Sequence, residues 1–152
     1  EIDKLIYLAN TKNIGFIGFM FDLDNFKNVN DVYGHDEGDE LLKEFSKILM
    51  NTFRRTECIG RLGGDEFMVL LENIELVNIE NTEKRLLKNI EEYNRKNEKP
   101  WKIEVSYGKL KYPQNNAMDK KMYYSSIDKL LYLDKKKRKT TRIQSNQTTA
   151  ST

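Results

Sequence analysis

Arg61-Leu62-Gly63-Gly64-Asp65-Glu66-Phe67 is the stretch whose reading decides the fold. Gly63 and Gly64 allow the positive φ angles that a tight hairpin needs. Residues 58–62 and 67–71 therefore read as two antiparallel strands, with Gly63, Gly64 and Asp65 between them. Upstream, residues 14–21 are almost continuously apolar, as in a strand covered on both faces, and the run ends on Asp22 and Asp24. A strand of this kind paired beside the hairpin would gather Asp22, Asp65 and Glu66 at one end of a sheet.

Helical spacing marks the elements around this core. Ile2, Leu5, Ile6 and Ala9 recur as in a short helix that Asn13 and Gly15 are suited to end. After a break at Gly34, Leu41, Leu42, Phe45, Ile48, Leu49 and Phe53 mark one face of a helix starting near Asp36. Leu86, Leu87, Ile90 and Tyr93 predict another helix over 78–97, and 101–110 alternates like a half-exposed strand. A loop is expected at 113–117. Tyr124, Ile127, Leu130, Leu131 and Tyr132 mark a last helix ending in the cationic run 135–139. Residues 140–152 are polar and poor in apolar side chains, so the composition predicts disorder there. The order of elements gives an α/β (α+β) class.

Composition bounds the rest. With 152 residues, 38% of them hydrophobic, the chain can close one core with little left for a second. Lys+Arg 26 against Asp+Glu 24 leaves a formal charge of +2, so no broad attraction to nucleic acid or anionic membrane follows. The single cysteine, Cys58, excludes an internal disulfide and fits a reducing, cytoplasmic setting. No apolar run approaches the roughly 20 residues that span a bilayer. The chain opens at Glu1 without an initiator Met, so it reads as a piece of a longer protein whose regulatory or membrane-anchoring parts lie upstream.

Three convergent carboxylates make a hard-cation site. Magnesium takes oxygen ligands from one or two carboxylates and shares substrate phosphates, and two such ions clamp both oxygens of a phosphoryl transfer. The glycines beside Asp65 let a phosphate approach the backbone closely.

The residues 61–67 resemble the signature of the GGDEF family of diguanylate cyclases. Asp22-Leu23-Asp24-Asn25-Phe26-Lys27, then Asn30-Asp31, Tyr33-Gly34-His35 and Gly38-Asp39, are similar to its first motif in order and spacing. Val105-Ser106-Tyr107-Gly108 and Ile127-Asp128 through Leu131-Tyr132 resemble later elements, so the likeness covers residues 1–139. It implies a palm-like fold of the nucleotidyl-cyclase, ferredoxin-like kind, with a mostly antiparallel sheet flanked by helices. It also implies a homodimer in which each subunit presents one GTP, with a sensory or receiver domain upstream in the full protein. Asp22, Asp65, Glu66 and the Leu23 carbonyl would hold Mg2+ or Mn2+. Glu66 would serve as ligand or general base, and Lys27 would steady charge on the reacting phosphate. Asn30 and Asp39 would read guanine, His35 would lie near the nucleotide, and Lys135 and Lys139 would hold the terminal phosphates.

The chain also departs from the family pattern. The usual opening Leu-Thr-Gly-Leu-x-Asn-Arg element is poorly matched, which reads residues 1–12 as the end of the helix following it and the domain as truncated. The product-inhibition motif Arg-x-x-Asp becomes Arg54-Arg55-Thr56-Glu57, where Arg54 and Glu57 read equally as a surface ion pair at helical spacing. Ala-Lys-x-x-Gly-Arg becomes Asp134-Lys135-Lys136-Lys137-Arg138-Lys139, so Lys139 lacks the bidentate fork of Arg. Without the resemblance, His35 is a loop residue and 135–139 a solvated helix end. Two rival functions stand beside the cyclase, a non-catalytic GTP or cyclic di-GMP sensor and a cyclase of another base. The intact acids at the signature weigh against the first, and Asp39 weighs against the second.

Overall fold

The computed structural model describes residues 1–53, 58–74, 78–113 and 118–150. Its elements run α1 (Ile2–Lys12), β1 (Phe16–Leu23), α2 (Phe26–Tyr33), α3 (His35–Thr52), β2 (Cys58–Gly63), β3 (Glu66–Glu72), α4 (Ile79–Lys96), β4 (Val105–Lys111) and α5 (Lys120–Ala150). The four strands form one antiparallel sheet in the order β2-β3-β1-β4.

β1 is central and every residue in it is buried, which its continuous apolar run requires. Alternation divides it between two cores. Ile17, Phe19, Phe21 and Leu23 pack with Leu41, Phe45 and Leu49 of α3 and with Leu86 and Ile90 of α4. Phe16 packs with Ile2, Leu5 and Ala9 of α1 and Tyr123 of α5, and Met20 packs with Ile127 and Leu131. Asp22 shares the parity of Phe16 and Met20, so it belongs to the face that α5 covers.

α5 lies flush against that face. A Cβ at Gly108 of β4 would fall 2.6 Å from Leu131 N and 2.8 Å from the Ile127 carbonyl oxygen. Only a residue without a side chain lets the helix backbone come so near. This contact sets the height of α5 over β1.

Three regions depart from the sequence reading. α2 was not foreseen, because Val29 is its one buried residue and a single apolar position carries no period. The strand expected from 101 begins at Val105. Trp101 and Ile103 are buried, but Ile103 N donates to Asn94 Oδ1 at 2.7 Å and the Ile103 carbonyl accepts from Asn94 Nδ2 at 2.8 Å, which replaces ladder bonds, while the Trp101 indole Nε1 donates to Glu37 Oε2 at 2.7 Å. α5 continues through Ala150, where disorder was expected. No Gly or Pro interrupts it, Arg138 pairs with Asp134 one turn back at 2.8 Å, and Thr140, Thr141 and Ser145 donate to carbonyls four residues earlier. Beyond Pro113, the expected loop at 113–117 lies outside the described residues.

Candidate active site

The β1–β3 register sets Asp22 opposite Glu66, and Leu23 N donates to the Asp65 carbonyl at 3.2 Å. Gly64 turns the chain at φ 52, and Arg61 Nε closes the hairpin on the Gly64 carbonyl at 2.8 Å. Asp22, Asp65 and Glu66 therefore meet at one end of the sheet, as the spacing predicts, with Leu23 beside them.

The electrostatics of this cluster follow from burial. Asp22 is only 6% exposed. Its Oδ2 accepts from Lys135 Nζ at 2.7 Å, while Oδ1 is buried without a hydrogen-bond partner. Desolvation raises the Asp22 carboxyl above the usual carboxylate range and the nearby Asp65 adds to this, against the opposing pull of Lys135. Glu66 is raised as well, first by burial and then by the charges of Asp22, Asp128 and Asp65. Burial works to lower the Lys135 ammonium, but Asp22, Asp65 and Asp24 outweigh it and hold its pKa above the ordinary value. The acids outnumber the ammonium set against them, so the cluster retains unneutralised negative charge.

That donor set fits a hard divalent cation, because a buried carboxylate oxygen with no partner is costly unless something positive meets it. Among the described residues, no group of three or more His, Cys, Asp or Glu side chains is arranged to hold a metal ion by itself. Substrate phosphate oxygens would have to complete the shell.

Beside the acids stands a cationic cavity of about 610 Å³, lined by Asp24, Tyr132, Lys135, Lys136, Arg138, Lys139 and Arg142. Asp24 is fixed at its edge by Ser106 Oγ, which donates to Oδ1 at 2.6 Å, and by its own N–H to the Glu104 carbonyl at 2.8 Å. Arg142 Nη2 lies 3.3 Å from Asp24 Oδ2 and also pairs with Glu104. A second cavity, of about 440 Å³, is lined by Asp39, Leu42, Lys43, Ser46, Arg61 and Phe67. Asn30 packs on α3 so tightly that a Cβ at Gly38 would collide with its Oδ1.

The structure thus brings Asp22, Leu23, Asp65, Glu66 and Lys135 together, sets Lys139 in the cationic cavity and Asp39 in the second one. Lys27, in the first turn of α2, and His35, the first residue of α3, are exposed, and no hydrogen bond or ion pair joins them to the acids among the described residues. Arg54 and Glu57 lie outside the described residues. Asp128, matched in the sequence only as part of the last helix, and Arg142 carry no role in the sequence reading. A signal for Asp128 existed, since it precedes Lys135 by seven residues, two turns along the same helix face.

A family model described as diguanylate cyclase, GGDEF domain, matches residues 1–141. The probable diguanylate cyclase DgcT of Escherichia coli (strain K12) is 31% identical over 127 residues, which is 82% of this chain and 28% of that protein. The chain therefore spans well under a third of that relative's length. Among solved structures, the active GGEEF domain of a diguanylate cyclase from Vibrio cholerae superposes with a TM-score of 0.73 at 25% identity, covering 88% of this chain and 85% of that one. The diguanylate cyclase SiaD from Pseudomonas aeruginosa, solved with its activator SiaC, gives a TM-score of 0.78 at 24% identity over 90% of this chain and 52% of that one.

Proposed function

This chain belongs to the GGDEF diguanylate cyclase family, and from that membership we propose that it condenses two GTP into cyclic di-GMP and two pyrophosphates. The observation that carries the reading is the register that faces Asp22 with Glu66 beside Asp65, with a buried carboxylate oxygen lacking a partner. Asp22, Asp65, Glu66 and the Leu23 carbonyl are assigned to Mg2+ or Mn2+, which when bound polarises the α-phosphate and acidifies the attacking 3′-hydroxyl.

The chain's own groups do the remaining work. Glu66, set opposite Asp22 across the β1–β3 pairing, is assigned either as a further ligand or as the base that takes the 3′-hydroxyl proton. The 3′-oxygen bonds to the α-phosphorus of the second nucleotide, and pyrophosphate leaves. Lys135 and Lys139, in the cationic cavity, are assigned to the terminal phosphates, and Lys27 to charge on the reacting phosphate. Asp39, with Asn30, is assigned to guanine. A carboxylate accepts hydrogen bonds from the N1 and N2 groups of that base and has no equivalent pairing with adenine. His35 is assigned a place near the nucleotide. Ring closure needs two 3′-hydroxyls and two α-phosphates, so turnover takes a homodimer with one GTP on each chain.

We assign the domain to the cytoplasm, where the lone thiol of Cys58 stays reduced. Among the described residues, no helix is long and apolar enough to cross a membrane. A sensory or receiver domain in the longer protein would supply the input.

The test is product analysis by mass spectrometry after incubation with GTP and Mg2+, alongside Asp65→Ala. Cyclic di-GMP from the wild type and none from the variant supports the reading. Tight GTP binding with neither cyclic nor linear product in a dimeric preparation overturns it in favour of a sensor.

A further inference from the structure

Lys135, Lys139 and Arg142 sit at i, i+4 and i+7 on α5, so they share one face of the helix. All three line the cavity of about 610 Å³ that borders the carboxylate cluster, a volume within the range of small-molecule sites. Their commitments differ. Lys135 Nζ is held by Asp22 at 2.7 Å. Arg138, the other guanidinium there, is taken up by Asp134 at 2.8 Å and lies 5.9 Å from the centre of the Tyr107 ring.

Arg142 is tethered by a single nitrogen. Both its carboxylate partners, Asp24 Oδ2 and a Glu104 oxygen, meet Nη2, which leaves Nε and Nη1 without a partner among the described residues. Asp24 is itself rigid, being bonded by Ser106 and by backbone. The tether therefore orients a planar fork while one edge remains open. An ion pair with a side chain 47% exposed adds little to stability, so folding alone gives the arrangement small value. Nor does apolar packing hold this turn, since residues 140–150 are all exposed.

We propose that Arg142 is a substrate-binding residue that donates to the terminal phosphates of the nucleotide, one turn beyond the point charge of Lys139 and two beyond that of Lys135 on the same helix face. A guanidinium offers paired N–H groups matched to two phosphate oxygens, which an ammonium does not. The ligand class is a nucleoside triphosphate with its metal, and the inference rests on the GTP reading of the same site.

The experiment is calorimetric titration of the full chain, in Mg2+, with α,β-methylene GTP, whose P–C–P bridge blocks loss of pyrophosphate, and with GMP. Arg142→Ala is expected to weaken the triphosphate by about 10- to 100-fold, the range for losing charge-assisted hydrogen bonds, and GMP by less than about twofold, since it lacks the phosphates the fork would reach. Arg142→Lys, which keeps the charge but not the fork, is expected to fall between. Equal losses for both ligands, or no loss for either, overturn the assignment of Arg142 while the GTP reading stands. A wild-type chain that binds neither ligand overturns both.

Discussion

Lys135→Ala offers the sharpest test of how the carboxylate cluster is balanced. The ammonium lies 2.7 Å from an Asp22 side chain that is 9% exposed, while its own side chain is 42% exposed. Breaking a fully buried pair from one side costs about 3–5 kcal/mol, because the remaining charge is stranded. Partial exposure of the lysine lets water and salt replace some of what is lost, which brings the expected cost to roughly 1–2 kcal/mol. For a chain of this size that lowers Tm by roughly 2–8 °C. The assay is thermal unfolding in EDTA and then in Mg2+. In EDTA the variant melts below the wild type. Mg2+ closes most of the gap, because a divalent ion among Asp22, Asp65 and Glu66 takes over the role of the lost ammonium, and titration of Mg2+ alone shows tighter binding to the variant, where no cation competes. Asp22→Asn in the same background removes the stranded charge, so the double variant is less destabilised than the two single losses added together. A Lys135→Ala protein that melts with the wild type in EDTA, or that gains nothing extra from Mg2+, would show that Lys135 does not balance these acids.

Gly108→Val forces a branched side chain into the backbone of α5 at Leu131 and Ile127; the expected loss is about 1–3 kcal/mol by overpacking, with reduced product formation because Lys135 lies one turn beyond the contact, and a variant as stable and active as the wild type would rule the contact out. In EDTA, the raised Asp22 and Glu66 carboxyls make the folded chain hold protons that the unfolded chain releases. Their contribution is present below about pH 4, the ordinary carboxylate range, and is lost as pH rises through the raised values. Wild-type stability relative to Asp22→Asn should therefore fall as pH rises above about 4, and an opposite slope in urea unfolding would contradict the burial argument. Asp39→Ala is expected to lower the preference for GTP over ATP by about 10-fold or more in competition binding, the loss of hydrogen bonds from guanine to a charged acceptor; an unchanged preference would remove Asp39 from base reading.

The centre of the site was legible in the sequence because two strong local signals met there. A strand apolar without interruption must be central, so the Asp22 at its end is fixed in space by β1 alone. A Gly63-Gly64 hairpin holds Asp65 and Glu66 in a similarly rigid place. Other parts depended on information that no short window holds. α2 buries Val29 alone, and the backbone groups of Ile103 find Asn94 instead of a neighbouring strand. The helix after Thr140 covers no core, so polarity concealed it, although its local hydrogen bonds and its lack of Gly and Pro are sufficient to continue α5. Asp128 and Arg142 became part of the site only once the seating of α5 on the sheet was known.

That seating gives the site a divided origin. Asp22, Asp65 and Glu66 belong to β1 and the β2–β3 hairpin, whereas Lys135, which faces them, and Lys139 and Arg142, which line the adjoining cavity, all belong to α5. The charge balance at the site is therefore a matter of helix–sheet packing as much as of residue identity. Packed interiors hold discrete arrangements and resist gradual sliding. With Gly108 bringing backbone against backbone, α5 has one well-fitted height over β1. At that height Lys135 meets Asp22 and Arg142 meets Asp24 and Glu104, two turns apart on the same helix. A displacement of α5 along the sheet would separate both pairs at once, leaving the acids with more repulsion and dispersing the cations of the adjoining cavity. The acids and cations of the candidate site are thus coupled through a glycine that touches none of them.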